Sequence, residues 1–93
     1  MILHLKAEEQ HQHENGGGWV ANTATVEATA YVGRDAWVFG NAQVSGNAQV
    51  FGNARVSGNA WVFGNARVFD GARVSGYARV SGDAEVSGNA RFF

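Results

Sequence analysis

Valine recurs at every sixth position of the chain, at Val20, Val26, Val32, Val38, Val44, Val50, Val56, Val62, Val68, Val74, Val80 and Val86, and Phe92 takes the next place. Two residues before each of these stands a small side chain, Gly18 first and then alanine from Ala24 to Ala90. Side chains alternate across an extended strand, so a small residue and a valine two apart share one face. The residue between them points the other way. The pattern therefore predicts short strands with an inner face of Ala and Val and an outer face of aromatic, polar and charged residues.

After the valines come two turn positions, mostly Ser or Phe and then Gly, followed by Asn or Asp, as in Val44-Ser45-Gly46-Asn47. Glycine accepts the positive φ of a tight corner, and Asn or Asp tolerates it and can bond its own backbone. A strand of about four residues and a corner of about two leave no room for hairpins, so the chain must keep turning in one sense and stack parallel strands into a solenoid. One repeat, Val68-Phe69-Asp70-Gly71, carries its glycine one place later and is read as a turn variant.

Units such as VFGNAQ, VSGNAQ, VFGNAR and VSGNAW resemble the hexapeptide repeats of left-handed parallel β-helix proteins, in which three hexapeptides make one triangular coil. The resemblance covers residues 19–93, about four coils. The GNARVSGNA wording and the NGGGWV opening also resemble short hexapeptide proteins of bacteria and their phages. The expected fold is all-β, a single-stranded left-handed parallel β-helix over 19–93, preceded by an N-terminal arm and Gly-rich hinge over 1–18. Residues eighteen apart would then stack at about 4.8 Å, the usual strand spacing. Three inner columns follow: Val20, Val38, Val56, Val74 and Phe92; Val26, Val44, Val62 and Val80; Val32, Val50, Val68 and Val86. Asparagines at the corners are expected to form amide ladders along the axis.

Composition narrows the function classes. Seven Lys+Arg against eight Asp+Glu leave a net charge of -1, which gives no electrostatic reason to expect a nucleic acid or an anionic membrane as partner. There is no cysteine, so neither disulfides nor thiolate metal sites contribute. The opening MILHLKAEEQ is too short in apolar residues and too acidic downstream for a signal peptide, and no run approaches the roughly 20 apolar residues of a membrane helix. The expected setting is cytoplasmic by default, with assembly outside the cell left open.

The resemblance implies two enzyme types to test, acyltransferases and zinc carbonic anhydrases. Both use histidines on or near the coils, and a catalytic zinc wants three protein ligands. Here His4, His11 and His13 all precede the repeats, and from 19 to 93 there is neither a histidine nor an inserted loop. The His11-x-His13-Glu14 segment reads as a solvated polar arm, and Gly16-Gly17-Gly18 lacks the spacing and lysine of a phosphate loop. The expectation is a non-enzymatic protein without catalytic, cofactor or metal site.

The outer columns are more telling. They run Trp19, Trp37, Arg55, Arg73, Arg91; Thr25, Gln43, Trp61, Arg79; and Tyr31, Gln49, Arg67, Glu85. Phe39, Phe51, Phe63, Phe69 and Phe93 follow valines or Phe92 at the corners. A large exposed aromatic surface marks self-association, stabilisation of the coil faces by stacking, or a glycan or protein ligand. The residues assigned to self-association are Trp19, Trp37, Phe39, Phe51, Trp61, Phe63, Phe69, Phe92 and Phe93, with Ile2, Leu3 and Leu5 of the arm. A solenoid needs caps over its terminal coils. The repeat runs on to Phe93, so end-to-end stacking into a filament or extended homo-oligomer is expected, the Trp19 of the next molecule falling where residue 97 would be. The alternative is a phage or surface module that trimerises side by side through its aromatic faces. An acyltransferase-like protein that borrows its histidine from a partner ranks third.

Overall fold

The computed structural model describes residues 10–92. They form fourteen strands, numbered in chain order, and no helix. Two strands at the N-terminus, β1 (Gln10–Gln12) and β2 (Trp19–Ala21), are three residues long, and the rest are two. The strands stack into three sheets, one for each side of a triangular coil. The first runs from β2 through β5 (Trp37–Val38), β8 (Arg55–Val56) and β11 (Arg73–Val74) to β14 (Arg91–Phe92). The second holds β3 (Thr25–Val26), β6 (Gln43–Val44), β9 (Trp61–Val62) and β12 (Arg79–Val80). The third holds β4 (Tyr31–Val32), β7 (Gln49–Val50), β10 (Arg67–Val68) and β13 (Glu85–Val86).

Within these ladders the pairing is parallel and joins residues eighteen apart, as Val38↔Val56 and Val56↔Val74. The molecule is thus a parallel β-solenoid of about four turns. Although each formal strand is short, the bonding between coils runs on through the corners. Trp37 N–H donates to the Ala54 carbonyl (3.0 Å), Phe39 N–H to Val56 (2.9 Å) and Asn41 N–H to Gly58 (2.8 Å).

The core is the pair of columns predicted by the repeat. Val32, Val38, Val44, Val50, Val56, Val62, Val68 and Val74 are fully buried, as are the alanines from Ala30 to Ala72. At about 1.5–3 kcal/mol per buried large aliphatic side chain, these columns are the main stabilising contribution. The alanines keep the strands close to the axis, because a larger residue on the same face would meet the valines of the other two sides. Burial weakens at the rims. Val26 in the first coil is only partly buried, and in the last coil Val86 is 8% and Phe92 47% exposed.

The corners divide into two kinds. From Gly40 onward the second residue after each valine has positive φ, and it is glycine at Gly40, Gly46, Gly52, Gly58, Gly64, Gly76, Gly82 and Gly88. Asp70 takes the same conformation, φ 59°, so the displaced glycine of that repeat leaves the turn unchanged. Asp70 Oδ2 also accepts from Gly88 N–H at 3.2 Å. Among the corners of the first coil, where the chain reads Asn22, Ala28 and Arg34, no positive φ occurs. There, side chains do what the backbone does below. In later coils the Asn N–H bonds the next coil's glycine carbonyl, as Asn47 to Gly64 at 2.9 Å. In the first coil Thr23 Oγ1 donates to Gly40 O, Thr29 Oγ1 donates to Gly46 O (2.6 Å), and Glu27 Oε1 accepts from Gly46 N–H (2.7 Å). The displaced glycine marks the Asp70 corner as different, whereas the corners at Asn22 and Ala28 differ more, in both backbone and bonding.

The sequence leaves open whether the N-terminal arm and its Gly-rich hinge cover their own coil or a neighbour's, and residues 10–18 pack on their own first coil. β1 pairs antiparallel with β2, with Gln10↔Ala21, His11↔Val20 and Gln12↔Trp19 in register. The turn is closed by His13 N–H to Gly18 O (2.7 Å) and Gly17 N–H to His13 O (2.9 Å). It is tied to the third sheet by Gly18 N–H to Val32 O (2.8 Å) and Val32 N–H to Asn15 O (3.0 Å). Gly16 lies so close to the Val32 carbonyl that a Cβ there would overlap it. The boundary expected at residue 19 therefore falls inside a hairpin, and the packed unit includes Gln10. A run of three glycines signals freedom in a sequence; in contact with a sheet edge it gives close approach instead.

Candidate functional site

Three surfaces carry side chains beyond the repeat's own needs: the hairpin over the first coil, the outer faces, and the rung formed by β12, β13 and β14. His13 in the hairpin is 6% exposed, and its Nε2 lies 2.8 Å from the Ala30 carbonyl. A carbonyl only accepts, so Nε2 carries the proton. His11 Nδ1 sits 2.6 Å from Asn22 Oδ1. Both described histidines thus fasten the hairpin to the first coil, where the sequence suggested a solvated segment. The signal in the sequence is the alternation of Gln10 and Gln12 with His11 and His13 ahead of a glycine turn, which is too short to separate a strand from a tail.

The aromatic positions assigned to self-association divide once placed. Trp37 is buried at 6% exposure and stacks on Trp19, with ring centroids 6.0 Å apart and planes 20° from parallel. It is therefore a pillar of the first face and not an exposed contact. Trp19 is half-buried. Phe51 and Phe69 stack at 5.0 Å and 4°, and with Phe39 and Phe63 they are half-buried at the corners. These rings behave as cross-strand stacks that stabilise neighbouring coils. Trp61 is exposed at 41%, with Phe63 edge-on at 6.1 Å and the Arg79 guanidinium 5.3 Å from its ring centre. Tyr31 and, most of all, Tyr77 at 82% are exposed as well, and neither was assigned from the sequence. Phe93, Ile2, Leu3 and Leu5 lie outside the described residues.

The outer arginines follow the expected columns. Arg73 is in register with Arg55 on one side and Arg91 on the other. Arg67 meets Glu85 at 3.8 Å, both half exposed, so the pair contributes at most about 1 kcal/mol. Together with Asn65 and Asp83 it lines an open polar groove on the third side, whose floor has no aromatic or aliphatic residue. A smaller groove lies beside the first face, between the Trp19, Trp37, Arg55 column and the corner residues Arg34, Asp35 and Asn53.

The last rung differs from every other. Each coil hands its N–H groups to the carbonyls of the coil that follows, as Trp61 to Ala78 (2.9 Å), Arg67 to Ala84 (2.9 Å) and Arg73 to Ala90 (2.9 Å). The equivalent edges of β12, β13 and β14 have no coil against them among the described residues. Ala84, Ala90 and Phe92, all of inner-face type, are exposed there. Around this rim the outward residues are Arg79, Glu85 and Arg91.

Among the described residues no group of three His, Cys, Asp or Glu is placed to hold a metal ion, and no helix is long and apolar enough to cross a membrane. The chain matches the family model described as the YdcK beta solenoid repeat over residues 48–64 and 60–76, less than half of its length. No curated protein and no solved structure matches it. The match spans β7 to β11 and agrees with the architecture: this is a β-solenoid repeat protein.

Proposed function

We propose that the protein is a non-enzymatic structural solenoid that associates side by side with a second copy of itself through the aromatic surface around Trp61 and Tyr77. The carrying observation is the exposure of these rings, Trp61 at 41% and Tyr77 at 82%, with Phe63 edge-on to Trp61 and the Arg79 guanidinium over its ring. Large exposed rings on a solenoid side mark a contact surface, and a guanidinium on one copy can stack on an indole of the other.

The head-to-tail joint expected from the repeat is less favourable. It would bring a last rung against β2, whose edge β1 already occupies, and would have to strip that strand away first. A side-by-side contact leaves the hairpin in place and gives a dimer instead of a filament. A non-enzymatic role is supported by the employment of His11 and His13 in fixing the hairpin.

Sedimentation velocity over a range of micromolar concentrations tests the reading. The expected result is a monomer–dimer equilibrium that Trp61→Ala with Tyr77→Ala shifts to monomer, both residues being exposed so that the variant folds. A wild-type chain that stays monomeric throughout, or a double variant that dimerises as before, would refute it.

A further inference from the structure

The groove beside the first face has a composition that the coil does not require. A regular repeat places Asn, Gly and small polar residues at its corners. The corner between β4 and β5 instead carries Arg34 and Asp35, both exposed, above Gly52 and Asn53 of the next coil. The groove between this corner and the first face has a volume of about 170 Å³. Its other wall is the indole column, in which buried Trp37 supports half-buried Trp19, followed by Arg55.

We propose that this groove binds one saccharide unit that carries a carboxylate. An indole offers an apolar body and an N–H donor, which suits the C–H face and ring hydroxyls of a sugar. Asp35 accepts from hydroxyls, and Asn53 both donates and accepts. Arg34 is the group that reads the carboxylate, because a guanidinium fork matches its two oxygens. With Arg34 and Arg55 against Asp35, the lining has an excess of one positive charge. The volume is below the roughly 300–1,000 Å³ of sites for drug-sized ligands, so it takes a single unit and leaves any further chain outside. The larger polar groove on the third side is a weaker candidate. Its Arg67 and Asn65 are turned to Glu85 and Asp83, and no ring lies in its lining. The inference does not rest on the dimer, since the groove shares no residue with the surface around Trp61 and Tyr77.

The chain has three tryptophans, so an amide-correlation NMR spectrum shows three indole N–H signals, and Trp61 on the second sheet serves as an internal control. Titration of the full chain with glucuronate is expected to move the Trp19 indole signal saturably in the millimolar range and leave that of Trp61 unmoved. Glucose is expected to bind more weakly, and acetate to produce no saturable shift at Trp19. Arg34→Ala should weaken glucuronate binding about tenfold, as the loss of a charge-assisted bond implies, and Asp35→Asn should weaken glucose and glucuronate alike. Both residues are exposed, so the variants fold. An unmoved Trp19 signal, equal shifts at Trp61, the same response to acetate, or unaltered binding by Arg34→Ala would each overturn the assignment.

Discussion

Replacing Gly58 by alanine tests whether the solenoid is limited by contact between corners or only by the conformation of each corner. Gly58 has φ +65°, and a Cβ built on it would lie 2.8 Å from the Gly76 nitrogen and 3.1 Å from its carbonyl oxygen. Gly82 has nearly the same backbone, φ +63°, yet a Cβ there would meet nothing within 4 Å, and the same is true of Gly17 at φ +77°. An L-residue forced into this left-handed region costs about 1–2 kcal/mol at any of the three positions. The gain from a stiffer unfolded chain, about 0.4–1 kcal/mol, is also common to them. Only at Gly58 must two backbones be pushed apart, at a further cost of about 1–3 kcal/mol as in other overpacked sites. Gly58→Ala is therefore expected to lose roughly 2–4 kcal/mol, and Gly82→Ala and Gly17→Ala roughly 1 kcal/mol. For a chain of this size each kcal/mol moves the melting midpoint by about 4–8 °C. Urea titration followed by far-UV circular dichroism measures the difference, with the slope of each transition checking that all variants unfold over the same cooperative unit. Equal losses at the three positions would show that stacking between corners contributes nothing and would refute the reasoning.

Two further expectations concern the core and the hairpin. Val56→Ala, in a column with Val38 and Val74 on either side, should cost about 2–3 kcal/mol by loss of buried methyl groups and the cavity left behind, whereas Val26→Ala at the partly buried rim should cost less than half as much in the same urea assay. His13→Ala removes the bond to the Ala30 carbonyl and should loosen the hairpin by about 1–2 kcal/mol. Hydrogen exchange would report it as faster exchange at Gly17 and Gly18 with the amides of β8 and β9 unchanged, and uniform acceleration across the chain would contradict the local role.

The repeat alone determined the solenoid, the six-residue register, the three inner columns and the places of the corners. It could do so because each inner position sees the same surroundings as the one eighteen residues away, so a linear period is already a three-dimensional contact. The glycine shifted to Gly71 was legible as a turn variant for the same reason, since the length of six fixes where the corner must fall. Tertiary structure decided what breaks the period. Whether Gln10–Gln12 is a tail or a strand depends on the free edge of β2, which no local pattern reveals. The fate of Trp37 depends on Trp19 and Arg55 in the adjacent coils, which turned an outward position into a buried one. Thr23, Glu27 and Thr29 look like ordinary surface residues until Gly40 and Gly46 present backbone groups to them. The groove at Arg34 and Asp35 likewise exists only because the Trp19, Trp37 and Arg55 column stands beside that corner. Periodicity encodes the contacts that all coils share, and the features with functional promise arise where one coil differs from the next, so they appear only when coils are brought together.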